Sequence, residues 1–293
     1  MATPQPDVET IRSPDGAIEV EVLPDAGARI HRLRVFGADL LSAPDDPAAH
    51  FADPFFGGAY VMAPWCNRID PGPVRVGDRS VALVPNFPGG SAIHGQVYAR
   101  RWERAGPGSF SIRGGEDGWP WAYEAGLAVA VADRSVTITL TLANRSPDPM
   151  PGGLGLHPWF RRPVEVAIHG DSVFPSNADT PALPVPVAGP LDVRRMGALT
   201  PGVDATWTDL ADPPVELRWP HLGLRATMHV DAPAVYIVAA SVTQVDAIAV
   251  EPQTHAPQGL RRLLAGEPGA LTMVDPGATL RLVIELAFRR DAD

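Results

Sequence analysis

Ser135-Val136-Thr137-Ile138-Thr139-Leu140-Thr141-Leu142 alternates hydroxyl and aliphatic side chains without a break. A period of two sends Val136, Ile138, Leu140 and Leu142 to one face and the four hydroxyl residues to the other, the pattern of a half-buried antiparallel strand. The β-branched residues suit such a pleated surface. The run from Leu127 leads into it through a turn near Asp133-Arg134, so Leu127 to Leu142 is expected to be a hairpin.

The same texture recurs outward in both directions. Ile18, Val20 and Val22 alternate with Glu19 and Glu21, and a second strand is expected over Ile30–Val35 after the Gly27 turn. Val74–Val76 and Ser80–Val84 flank Gly77-Asp78, which suits a tight hairpin with positive φ at its first turn residue. Leu224–Val230, Val235–Ala240 and Leu280–Phe288 continue the pattern, the last with Leu280, Leu282, Ile284, Leu286 and Phe288 on one face. Asp39–Pro54 and the proline-rich Phe174–Pro190 read as irregular connections, and Gln258–Leu264 as a short helix stopped by Gly266. The 28 glycines and 33 prolines are spread through all 293 residues, as turns between many strands require. One large all-β domain over residues 1–293 is expected, since β domains often exceed the usual domain length.

A net charge of −10 with no block of lysine or arginine argues against nucleic acid as a partner. Cys66 is the sole cysteine, which rules out an intrachain disulfide and fits a reducing compartment. Residues Met1–Pro14 are polar, and no run approaches the ~18 apolar residues of a membrane helix. The expectation is a cytoplasmic protein without membrane contact, with oligomeric state left open, a homodimer included.

Four polar islands end apolar runs: Asn67-Arg68, His94-Gly95, His157-Pro158 and Glu251-Pro252. His157 sits in Gly153-Leu154-Gly155-Leu156-His157-Pro158-Trp159-Phe160, read as a glycine-loosened strand leading into a proline-aromatic turn, with Trp159 and Phe160 giving flat apolar surface. Each island has a plainer reading: a core histidine on a carbonyl, a solvated arginine, a turn histidine, a glutamate leaving for solvent. Glu251 resists it best, because Ala247-Ile248-Ala249-Val250 delivers it and Pro252 fixes its exit, so partial burial and a raised pKa are expected. Such a carboxylate facing a histidine is a general acid/base pair. Signatures of a serine-hydrolase elbow, a phosphate loop and a dinucleotide turn are absent. No metal is expected: the eight histidines form no His-x-His pair, and Pro252 and Pro257 keep Glu251 and His255 off a shared helix face.

Taken together, Ala63-Pro64-Trp65-Cys66-Asn67-Arg68-Ile69, Ile93-His94-Gly95, Gly155 to Phe160 and Val250-Glu251-Pro252-Gln253, in this order, resemble the aldose 1-epimerase (galactose mutarotase-like) family across nearly the whole chain. The resemblance implies a large antiparallel β-sandwich, the supersandwich, with a sugar site in a cleft on one sheet and no cofactor. It implies Glu251 as the base at the anomeric hydroxyl, His157 as the acid at the ring oxygen, and Arg68 and His94 as hydroxyl ligands. Asn67 and Trp159 join them as candidate sugar contacts, although tyrosine or phenylalanine is commoner than tryptophan at the latter position. Gly202-Val203-Asp204-Ala205-Thr206-Trp207 resembles the family segment whose aspartate binds hydroxyls, with Asp209 as a competitor for Asp204. The expected activity is interconversion of the α and β anomers of a free aldose. Two rivals stand beside it. A sugar-phosphate epimerase needs two or more converging arginines, for which Arg161-Arg162 are the nearest cluster to Arg68. A sugar-binding module without turnover could share the sandwich.

Overall fold

In the computed structural model, which describes residues 5–177 and 180–291, Tyr123–Val131 and Ser135–Asn144 form the expected hairpin. The alternation sets its register. Val136, Ile138, Leu140 and Leu142 stand opposite Leu286, Ile284, Leu282 and Leu280 of Thr279–Arg290, and all are buried. A slip of one residue would turn Ser135 and three threonines inward. Each large aliphatic side chain so exposed would forfeit about 1.5–3 kcal/mol.

Two antiparallel layers grow from this pattern. One runs from Glu103–Gly106 through Ser109–Gly114, the hairpin and Thr279–Arg290 to Leu224–Asp231. The other joins Tyr236–Ala240, Ala247–Gln253, Gly155–Arg161 and Ala59–Met62, and reaches Arg29–Val35, Ile18–Leu23 and Glu9–Arg12. Their inner faces meet where Leu156, Pro158 and Phe160 approach Ile138, Ile284 and Leu286.

The long strand Asp204–Trp219 belongs to both layers. Its first residues pair with Tyr236–Ala240 and its last with Leu224–Asp231, while Glu165–Phe174 follows its other edge through a register shift. The sheet therefore curls into the expected β-sandwich. Strands on both sides of the proline-rich 174–190 stretch share hydrogen bonds, and past Phe174 its described residues contain the short pieces Val185–Pro186 and the start of Gly189–Leu191. Gly77, at φ 58, opens the two-residue turn between Val74–Val76 and Arg79–Val81. The helix runs Gly259–Ala265 and ends on Gly266 at φ 67.

One expectation needs correction. His157-Pro158-Trp159 is no turn: Gly155–Arg161 is one continuous strand between two neighbours. Pro158 lacks a donor, but its side chain enters the core, and the next amide, Trp159 N–H, reaches the Gly58 carbonyl at 2.9 Å.

Candidate active site

Five neighbouring strands set out the site by register alone. Gly155 opposes Gln253 and Trp159 opposes Ala249, which places His157 beside Glu251; Tyr60 lies on the far side of His157, and Val238 on the far side of Glu251. Thr206 completes this row, and the next row is Trp159, Ala249, Ala240 and Asp204. Because side chains alternate across a strand, both rows share one face, while Val61, Leu156, Val250 and Ile237 go to the core on the other. The face is outward but roofed. The loops carrying Phe55-Phe56 and Asn67-Arg68, with Phe87 and His94, cover it to leave a cleft of about 520 Å³.

All seven residues singled out from the sequence line this cleft: Glu251, His157, Arg68, His94, Asp204, Asn67 and Trp159. Asp209 does not. Glu251 is 3% exposed and His157 5%, with Oε1 and Nε2 3.1 Å apart. Burial pushes the Glu251 carboxyl well above its usual range, the charge of Asp204 adding to the effect. Burial, with His94 next, pushes His157 well below its usual range. Both effects favour uncharged forms, so the resting pair holds one proton, on Glu251.

Asn67 and His94 both adopt positive φ, 56° and 60°, beside the short ladder of Arg68 with Ile93, and the His94 N–H donates to the Asn67 carbonyl at 3.1 Å. The Asn67 N–H donates to Nδ1 of His94 at 3.3 Å, which leaves Nε2 as the protonated nitrogen of a neutral ring. Burial and the Arg68 charge hold that ring's pKa down to about 3, so His94 is a neutral donor at working pH. The Arg68 guanidinium lies 4.5 Å over the Phe87 ring. Asp204 accepts from Asn177 Nδ2 at 2.5 Å, and Thr206 donates to Asn177 Oδ1 at 2.7 Å; Asp204 is exposed to the open cleft, and partial desolvation by the cleft walls raises its pKa.

Aromatic packing fixes the histidine. Tyr60 stacks on His157 at 4.5 Å, and Trp159 tilts against its other side at 4.9 Å. Trp159 Nε1 donates to the Phe55 carbonyl at 2.9 Å, while the buried Arg29 donates to Pro54 and Gly57 carbonyls, so the aromatic loop is tied from both ends. His255 is structural. Its Nε2 accepts the Cys66 N–H at 2.9 Å and its Nδ1 contacts the Ala256 carbonyl at 2.7 Å. Gly153 makes room for it, since a Cβ there would lie 2.3 Å from His255 Cδ2. Asn177, Tyr60, Phe55 and Phe87 also line the cleft and were not singled out in the sequence. Among the described residues no group of three or more histidine, cysteine, aspartate or glutamate side chains is arranged to hold a metal.

Gly95 locks His94 in place. At φ 76 it pairs in parallel with Ala63, and an added Cβ would stand 2.0 Å from the Ala63 carbonyl oxygen. Backbone cannot yield as a side chain can. Gly95→Ala is therefore expected to cost about 3 kcal/mol through the clash and the left-handed φ, read as a melting temperature lower by about 5 °C. An unchanged melt would mean that the His94 loop is free to move.

Comparison with solved structures gives the class first. The chain matches a galactose mutarotase-like protein from Clostridium acetobutylicum with a TM-score of 0.81, 15% identity and coverage of 98% of this chain and 99% of that one. An aldose epimerase homologue from C. elegans gives 0.79, 17%, 97% and 99%, and galactose 1-epimerase from Lactobacillus acidophilus NCFM gives 0.76, 15%, 97% and 99%. At such identities the likeness shows a galactose mutarotase-like fold. The family follows from the sequence itself: residues 10–285 match the aldose 1-epimerase family, and the chain belongs to it. No curated protein matches the chain.

Proposed function

We propose that this protein interconverts the α and β anomers of a free, uncharged aldose by acid/base ring opening and reclosure. One observation carries the reading: Glu251 and His157 lie 3.1 Å apart, buried on the floor of a cleft whose lining mixes polar side chains (Asn67, Arg68, His94, Asn177, Asp204) with aromatic ones. The pair has a tautomer in which its proton sits on His157, reached by transfer along that hydrogen bond. In this tautomer Glu251 takes the proton from the O1 hydroxyl as His157 gives one to the ring oxygen. The C1–O5 bond breaks, C1=O1 forms, and rotation about C1–C2 presents the other face of the carbonyl. Reclosure runs the two transfers backward and restores the pair. Arg68, the neutral His94, Asn67 and the Asn177–Asp204 couple supply donors and acceptors for the hydroxyls, and Trp159 an apolar wall for C–H groups. Polarimetry of a freshly dissolved single anomer, corrected for the spontaneous rate, tests this directly. A protein that binds sugar without exceeding that rate would be the non-catalytic module.

The lining supports an uncharged substrate. Among the described residues Arg68 is the one cation lining the cleft, and Asp204 shares it. Arg162 is committed to Ser241 Oγ at 2.8 Å and the Ala247 carbonyl, and Arg161 is exposed; neither lines the cleft. Glucose is expected to exceed glucose 6-phosphate in kcat/KM by at least about tenfold, the equivalent of ~1.4 kcal/mol of unfavourable charge. A preference for the phosphate that fades with salt would point to the sugar-phosphate reading instead.

A further inference from the structure

We propose that Gln253 is a positioning residue for Glu251, an amide that donates to the carboxylate and, turned over, accepts from the carboxylic acid. The inference rests on the reading of Glu251 as the proton-transferring group. The two side chains lie two residues apart on one strand and so on one face. Gln253 Nε2 donates to Glu251 Oε2 at 2.9 Å, and Gln253 is wholly buried. Its Oε1 is also buried and has no hydrogen-bond partner. A buried orphan acceptor is costly and calls for an explanation.

A protonated Glu251 supplies one. The ionised carboxylate only accepts, so it can use only the NH2 end of the amide; an acid whose proton sits on Oε2, the oxygen away from His157, can donate to the Gln253 carbonyl oxygen. A half-turn of the terminal amide torsion, which is soft, exchanges the two arrangements. The chain leaves room for this group: Gly155 stands opposite Gln253, and a Cβ there would come within 3.1 Å of Gln253 Cγ and 2.7 Å of Cys66 Sγ. The other groups facing Glu251 have different parts. His157 exchanges the proton through Glu251 Oε1, the Asp204 charge opposes ionisation, and the Tyr60 hydroxyl and Cys66 thiol, kept neutral by burial and by Glu251, are not hydrogen-bonded to it. A base that gains and loses a proton in each turnover needs a partner content with either form. Gln253 already donates to Glu251 and holds an unpartnered acceptor on the same amide, so one torsion exchanges the two.

Gln253→Met keeps the volume and removes both functions. The carboxyl titration of Glu251, followed by ¹³C NMR and assigned by its loss in Glu251→Gln, is expected to move up by about one pH unit, because the carboxylate loses its donor. With it, kcat for mutarotation falls about tenfold while KM stays within about twofold. A purely structural glutamine would lower the melting temperature and leave the titration in place, and that result overturns the proposal. The wild type gives a second readout that needs no variant to fold. The side-chain NH2 signals of Gln253 are expected to shift through the Glu251 titration, and signals flat across it overturn the proposal equally. Both spectra are independent of turnover, so a wild type that fails to speed anomer exchange would refute the catalytic reading and leave this coupling measurable.

Discussion

Glu251→Gln is expected to lower kcat for anomer interconversion at least ~10²-fold while sugar affinity stays near the wild-type value. Glutamine matches the carboxyl in size and can keep contacts to His157 and Gln253, but it cannot take a proton from O1. His157→Asn is expected to lose a similar factor, because the ring oxygen then has no acid beside it. The pH profile follows from the shared proton. A second proton on the pair removes the base, and loss of the only proton removes the acid, so the rate is a bell whose limbs belong to the pair and not to either residue. Burial sets its breadth: with Glu251 raised and His157 lowered, the neutral one-proton form is the stable one between the limbs. Calorimetric titration of each variant with sugar separates a lost proton path from a lost binding site. A Glu251→Gln protein that equilibrates anomers at near the wild-type rate would show that the base lies elsewhere.

Much of the fold was legible because one face of most strands meets the core and the other meets polar surroundings. Ser135–Leu142 shows that alternation directly, and its register with Thr279–Arg290 needs nothing more. The strand Gly155–Arg161 concealed itself for the opposite reason. Gly155 to Phe160 are all buried, one face in the core and the other under the cleft, so no alternation survives, and a proline in an interior strand reads as a break. Tyr60 was hidden likewise, since Ala59–Met62 is buried on both faces. Asn177 has no local signal at all: it comes from an irregular stretch and meets Asp204 and Thr206 only through the curl of Asp204–Trp219. The catalytic candidates were recognisable because a charged or titratable residue ends each apolar run, and burial of such a residue is rare without a purpose. Their partners, Gln253 and Asn177, are neutral amides, which carry no comparable anomaly in the sequence.

The desolvation that tunes the proton pair also makes the whole protein sensitive to acid. His31 and His50 are buried against each other, Nδ1 to Nε2 at 3.0 Å, with pKa values held down to about 4 and about 3 by burial. His94 is held to about 3 and His255 to about 4 by the same cause, each with a ring nitrogen accepting a backbone N–H. In the unfolded chain these rings protonate near pH 6.5, so below that value the unfolded state binds protons that the folded state refuses. The stability they contribute is therefore intact above pH 6.5 and is lost as pH falls toward the folded values. At pH 5 the loss is about 2 kcal/mol for each of the four, together comparable to the whole stability of a typical domain. His157 acts in the same direction. Glu251, with its raised folded pKa, opposes it, since the folded state takes up that proton first. Four rings outweigh one carboxyl, and thermal unfolding followed by circular dichroism at constant ionic strength is expected to show a melting temperature lower by on the order of 10–15 °C at pH 5 than at pH 8. His31→Gln with His50→Gln should flatten that slope even if it lowers stability at pH 8, because neither replacement titrates. A melting temperature level from pH 8 to pH 5 would mean that the buried rings take up protons without cost. The acid limb of the rate profile must then be read against this loss: activity that returns at once when the sample is brought back to pH 7.5 reports the Glu251–His157 pair, and activity that returns slowly or not at all reports unfolding.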